Sequence, residues 1–198
     1  MTEILILPVN TKVRCLPEEV LAHIDEKHGE KKAESFAAYE ALSQLSLLFH
    51  LSKSNRRLPL IKYERTGKPF FPEFPSISFS LSHTEGMAAA IMSDQEEVGI
   101  DIEKINLEKL PSYRMIAKSR FFEQEQKKVS ASQNSELEEI KSFLSIWTQK
   151  EAAAKVLQLS PISLDSSIFP NLFDLTTDVC DEQYVVSVVK KMREKAYD

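Results

Sequence analysis

Hydrophobic and polar positions along the chain fall into two textures, short alternating stretches and longer ones spaced at helical intervals. Ile4 to Val9 reads as a first strand, broken by Pro8 and Asn10. Pro17 opens a short helix, at the first-turn position proline favours, and Gly29 ends it. A long helix is predicted from Lys31 to about Lys53, with Phe36, Tyr39, Leu42, Leu45, Leu47, Leu48 and Leu51 as a wide apolar stripe facing a core. Ile61 to Tyr63, Ile77 to Leu81, Met87 to Met92 and Val98 to Glu103 then read as strands of a meander. Tyr113 to Phe122 follows as a partly basic helix, and the polar stretch Ser130 to Glu139 as a surface loop. Phe143 to Lys155 is rich in strong helix formers. Leu164 to Phe169, Leu172 to Leu175 and Tyr184 to Val189 alternate like antiparallel strands. Helix and strands followed by helix and strands predict an α+β fold in two halves of similar size, each a small, mostly antiparallel sheet packed on a long helix.

Composition narrows the function more than the fold. A chain of 198 residues can bury a real core, and 42% hydrophobic with 28% charged residues is ordinary for a globular protein. The formal charge of -5 argues against nucleic acid as a general partner. No apolar run is long enough to span a bilayer, so no membrane partner is expected. Cys15 and Cys180 match no metal or redox spacing and read as reduced thiols of a cytoplasmic protein.

The candidate chemistry lies in the middle of the chain and in the later helix. In Val98-Gly99-Ile100-Asp101-Ile102-Glu103 the apolar residues take one face and the two carboxylates the other. Two like charges at the end of a buried strand call for a positive partner, and a hard cation such as Mg²⁺ suits oxygen ligands and a substrate phosphate together. Three of the four glycines, Gly67, Gly86 and Gly99, fall in this central third, where backbone can approach a ligand closely. Lys68 follows one of them, and His83 follows Ser82 in a pattern suited to an oxyanion or phosphate. Phe143, Trp147, Glu151 and Lys155 recur at four-residue steps and share one helix face, which sets Glu151 and Lys155 at the edge of the core. Arg114, Lys118 and Arg120 could meet an acidic helix of a partner by charge alone.

The ordered set Gly67-Lys68-Pro69, Phe79-Ser80-Leu81-Ser82-His83, Val98 to Lys104 and Trp147-Thr148-Gln149-Lys150-Glu151-Ala152 with Lys155 resembles the 4'-phosphopantetheinyl transferase superfamily. The length resembles the Sfp-type branch, in which one chain carries two pseudo-symmetric halves. That resemblance implies a monomer with residues 1–104 as the N-terminal half and 105–198 as the C-terminal half, the catalytic helix spanning 142–157. It implies Mg²⁺-dependent transfer of the phosphopantetheine arm of coenzyme A to a serine of an apo acyl or peptidyl carrier protein, releasing adenosine 3',5'-bisphosphate. It assigns Asp101, Glu103 and Glu151 to the metal, and Glu151 and Lys155 to catalysis. Lys68, Pro69, Ser82, His83 and Lys155 are assigned to coenzyme A.

Two departures stand out. The family's first long helix usually carries an arginine near Tyr39 that contacts the 3'-phosphate, a task Lys31, Lys32 or Arg56 could take. The loop after Lys155, usually glycine-containing, reads Val156-Leu157-Gln158-Leu159-Ser160-Pro161 here. The alternatives are a catalytically silent coenzyme A- or carrier-binding protein and a Mg²⁺-dependent nucleotide pyrophosphate hydrolase.

Overall fold

The computed structural model describes residues 1–11, 16–26, 28–51, 58–132 and 135–192. Cys15, Lys53, Arg56 and Arg57 lie outside them. The first half begins with β1 (Thr2–Pro8), α1 (Glu18–Asp25) and α2 (Glu30–Leu48). A small antiparallel hairpin, β2 (Lys62–Tyr63) and β3 (Pro69–Phe70), leads to β4 (Ser78–Thr84) and β5 (Met87–Ser93). The second half begins with β6 (Val98–Lys104) and continues through α3 (Leu110–Arg120), α4 (Glu123–Ala131) and α5 (Glu136–Leu157). It closes with α6 (Phe169–Leu172), β7 (Phe173–Cys180) and β8 (Tyr184–Lys191). β6 lies within residues 1–104 but pairs with β8 of the second sheet, so this division falls before Val98 rather than after residue 104.

The two three-stranded sheets repeat one topology. In the first the order is β1-β5-β4, in the second β6-β8-β7, and every pairing is antiparallel. Each is strand, long helix, then a hairpin whose last strand inserts in the middle. The sequence shows no repeat because only the burial pattern has to recur. The α2 face that meets the first sheet is partly alanine: Ala37 and Ala38 cluster with Ala88 of β5, so helix and sheet pack closely. Tyr39, Leu42 and Leu45 are buried as the periodicity predicts, whereas Leu47 and Leu48 stay exposed because α2 ends at Leu48.

Two sequence expectations fail locally. Leu164 to Phe169 is not a strand but short 3₁₀ turns at Pro161–Ser163 and Ser166–Ile168 running into α6. The Asp165 carboxylate accepts the Ser167 N–H and Pro170 has no N–H to give a ladder, while Leu164 and Phe169 still reach the core. Ser130 to Glu139 is mostly not loop, since α4 runs to Ala131 and α5 starts at Glu136. Glu136, Glu138 and Glu139 in that first turn complement the helix dipole, which a count of polar residues misses.

Three contacts lock the second half. Gly99 lies against α5 so closely that a Cβ there would stand 2.1 Å from the Ala152 carbonyl oxygen. Lys150, fully buried, donates to Glu125 Oε2 at 2.7 Å and lies over the Phe121 and Phe122 rings. Glu125 also accepts the N–H groups of Phe122 and Ser166, both at 2.8 Å, so α4, α5 and the turn before α6 meet on one carboxylate.

The two sheets meet along β4 and β6, and hydroxyls make the seam. Ser78, Ser80, Ser82 and Thr84 accept the backbone N–H groups of Val98, Ile100, Ile102 and Lys104 at 3.1–3.4 Å. The side-chain period of two on β4 thus satisfies every second amide of an edge strand. Among the described residues no helix is long and apolar enough to cross a membrane.

Candidate active site

Between α2 and β4 on one side and the C-terminal end of α5 on the other lies a cleft of about 590 Å³. Lys68, Pro69, His83, Glu151 and Lys155 all line it, which brings together five predicted site residues from three segments. Ser82, Asp101 and Glu103 do not line it. Asp101 and Ser82 sit behind Lys155 on the β4–β6 seam, and Glu103 lies one pleat further along it, beside Thr84.

Lys155 links the two groups. Its ammonium donates to the Ile100 carbonyl oxygen and to Asp101 Oδ1, both at 2.8 Å. An ammonium has three N–H bonds, so a third remains for the cleft. Gly99 makes this possible, because the close approach of α5 to β6 brings Lys155 within reach of Asp101. Asp101 Oδ1 also accepts the Ser82 hydroxyl at 2.7 Å. Asp101 Oδ2 is buried with no hydrogen-bond partner.

The acids feel one another. Burial, reinforced by the Asp101 charge, pushes the Glu103 carboxyl up to about 7, with Glu151 adding to the repulsion and Lys109 and a hydrogen bond from Thr84 opposing it. Burial and the Asp101 charge likewise push Glu151 up, against the pull of Lys155. Asp101 is therefore the acid whose charge both Glu103 and Glu151 feel. Among the described residues, no three His, Cys, Asp or Glu side chains stand as a closed metal-holding group. Mg²⁺ does not require one, because it is commonly held by one or two carboxylates together with substrate phosphates and water. An unpartnered buried carboxylate oxygen and hard donors fit such an ion.

One wall of the cleft carries Lys68 and His83, each facing a carboxylate. Lys68, partly buried, lies 3.6 Å from Glu97, and His83 Nδ1 lies 3.0 Å from Glu34 Oε2 on α2. Aromatic rings line the cleft beside them: Tyr63 pairs with Pro69 across the β2–β3 hairpin, the His23 ring lies 5.1 Å from that of Tyr63, and the hydroxyls of Tyr39 and Tyr63 are 2.7 Å apart. Burial, then that hydrogen bond, raises the Tyr39 phenol above its usual range. Neither Lys31 nor Lys32 lines the cleft, Lys32 being paired with Asp25 at 2.7 Å. Arg114, a candidate for meeting a partner, makes a bidentate pair with buried Glu139 at 2.6 and 2.8 Å, while Lys118 and Arg120 are exposed.

The sequence gives no site role to Glu34, His23, Tyr63, Thr66 or Gln158. The fold brings the last four to the lining of the cleft, and Glu34 reaches it through His83. Gln158 takes the left-handed conformation at the end of α5 (φ 57°, ψ 40°), so the glycine-free segment makes its turn with glutamine. Its Oε1 accepts the Thr66 hydroxyl at 2.5 Å, tying the β2–β3 hairpin to α5 across the cleft.

Comparison with known proteins points the same way as this geometry. A profile of the 4'-phosphopantetheinyl transferase superfamily matches residues 97–190, from the start of β6 nearly to the end of β8. Over that stretch the chain is similar to the 4'-phosphopantetheinyl transferases. It is 38% identical over 106 residues to 4'-phosphopantetheinyl transferase AcpT of Escherichia coli (strain K12), a match covering 53% of this chain and 52% of that protein. To AcpT of Salmonella typhimurium it is 34% identical over 105 residues, 53% of each. To 4'-phosphopantetheinyl transferase Sfp of Bacillus subtilis it is 32% identical over 113 residues, 57% of this chain and 46% of that one. The match thus spans about half the length of these 4'-phosphopantetheinyl transferases, and the family profile takes in Asp101, Glu103, Glu151 and Lys155.

Proposed function

We propose that the protein transfers the 4'-phosphopantetheine arm of coenzyme A to a serine hydroxyl of an apo acyl or peptidyl carrier protein, with Mg²⁺, releasing adenosine 3',5'-bisphosphate. The observation that carries this reading is Lys155, which lines the cleft with Lys68, His83 and Glu151 and pairs with Asp101 just behind it, with Asp101 Oδ2 unpartnered. Asp101 and Glu103 of β6, with Glu151 of α5, are the residues that would hold the ion. Bound there, it would neutralise diphosphate oxygens and make the phosphorus more electrophilic.

Lys68 and His83 hold phosphate oxygens from the β3 and β4 side. Glu151 takes the proton of the attacking serine, its basicity strengthened by burial and by Asp101. The serine oxygen bonds to the phosphorus that bears the pantetheine arm, and the bond from that phosphorus to the bridging oxygen breaks. Lys155 faces the charge that then gathers on the departing bisphosphate. Phosphoryl transfer asks mostly for such positioning and neutralisation. Gln158 and Thr66 hold the cleft walls in register from the far side. We further propose that the enzyme acts as a cytoplasmic monomer.

The test mixes the protein with coenzyme A, Mg²⁺ and an apo acyl carrier protein and weighs the carrier by mass spectrometry. A mass gain equal to the phosphopantetheine arm is expected. Coenzyme A cleavage without carrier would replace this reading with the hydrolase, and binding without either product with a silent binding protein.

A further inference from the structure

The hydroxyls of the β4–β6 seam have one donor each left over after accepting an amide. At Ser82 that hydrogen goes to Asp101: the oxygen accepts the Ile102 N–H at 3.4 Å and donates to Asp101 Oδ1 at 2.7 Å. Thr84 repeats the relation one pleat further on, accepting the Lys104 N–H at 3.3 Å and donating to Glu103 Oε2 at 3.5 Å. Each hydroxyl thus grips the strand through the residue twenty positions later and aims the carboxylate nineteen positions later. Ser82 is buried, does not line the cleft, and spends its proton on Asp101.

We infer that Ser82 is a positioning residue for the metal acid Asp101, with Thr84 acting in the same way on Glu103, and that Ser82 does not contact a phosphate of coenzyme A. With Oδ1 held by Ser82 and Lys155, the Asp101 carboxylate cannot rotate freely, and Oδ2 is the oxygen left to meet a cation. The outer partners of a metal ligand fix its orientation in this way, and removing one typically weakens metal binding about 10–100-fold. The inference rests on the Mg²⁺ reading above, so its test reads metal binding directly.

Mn²⁺ uptake by the 198-residue protein is followed by electron paramagnetic resonance, with and without coenzyme A, and coenzyme A affinity is measured separately in EDTA. In Ser82→Ala, Mn²⁺ affinity is expected to fall about 10-fold or more, with coenzyme A affinity in EDTA unchanged. Ser82→Thr, which keeps the hydroxyl, should recover Mn²⁺ affinity. Ser78→Ala removes the equivalent seam bond to the Val98 N–H without touching a carboxylate, and should leave it at the wild-type value. Unaltered Mn²⁺ affinity in Ser82→Ala overturns the positioning role, and weakened coenzyme A binding in EDTA returns Ser82 to the phosphate. Should Ser82→Ala fail to fold by circular dichroism, Thr84→Val decides through Glu103: weaker Mn²⁺ binding supports the inference and unchanged binding sinks it. Wild-type protein that takes up no Mn²⁺ even with coenzyme A overturns the Mg²⁺ reading itself.

Discussion

Lys155 Nζ sits 2.8 Å from Asp101 Oδ1, so one ammonium on α5 both satisfies a buried carboxylate of β6 and faces the cleft. Replacing it removes the Asp101 counter-charge and the cation offered to the leaving group in one step. Lys155→Met is expected to lower turnover about 10²–10³-fold, the usual cost of deleting one donor aimed at developing charge. Steady-state transfer to an apo acyl carrier protein measures it. Turnover within a few-fold of wild type would remove Lys155 from the chemistry.

Glu151 shares that helix face one turn earlier. Glu151→Gln keeps the size of the side chain and loses the base, and turnover should drop about 10²-fold or more. Unchanged turnover would assign the serine proton to water or another group.

Gly99 tests the geometry rather than the chemistry. A methyl group there would collide with the Ala152 backbone, which cannot move without shifting α5. Gly99→Ala is expected to cost about 2–3 kcal/mol in urea unfolding. It should also lower turnover by about 10²-fold, since α5 carries Glu151 and Lys155 and a shift near 1 Å is costly.

The pH dependence of stability follows from Glu103. Its carboxyl is raised from the ordinary 4.5 to about 7 in the folded protein, chiefly by burial, so the native state holds that proton more tightly than the unfolded chain does. The stabilisation is complete below about 4.5 and is lost as pH rises through about 7. In EDTA, Tm of the wild type should therefore fall relative to Glu103→Gln between pH 5 and pH 8. Added Mg²⁺ should restore more Tm to the wild type at pH 8 than at pH 5. Parallel Tm curves for the two proteins would refute the assignment.

Lys150, next to the proposed base, is expected to matter for folding alone. Lys150→Met leaves Glu125 as an uncompensated buried charge, at about 3–5 kcal/mol. Chemical denaturation checks the loss, and a change below about 1 kcal/mol would show that the pair is not buried in solution.

The sequence disclosed what periodicity and spacing can carry. Alternation in Val98 to Glu103 and the four-residue steps from Phe143 to Lys155 identified the strand and helix that meet at the site, but not that β6 is buried on both faces as far as Ile102 and α5 around most of its girth. It misread Leu164 to Phe169 because buried residues in 3₁₀ turns mimic short strands when no ladder is visible. The contacts of Glu34 and Gln158 were hidden for a different reason: their partners, His83 and Thr66, are 49 and 92 residues distant in sequence. The resemblance assigns Ser82 to coenzyme A through its place before His83, and the seam role of these serines stays hidden, since nothing in one strand's sequence says which amides lie across from it.

At the end of α5 the interests of fold and grip diverge. Glutamine at a left-handed position is strained by about 1 kcal/mol relative to glycine. Gln158→Gly would thus relax the helix terminus while cutting its tether to Thr66. A sturdier molecule would come with a slacker jaw, and the chain retains the tense residue at the point where it can hold both walls of the cleft together.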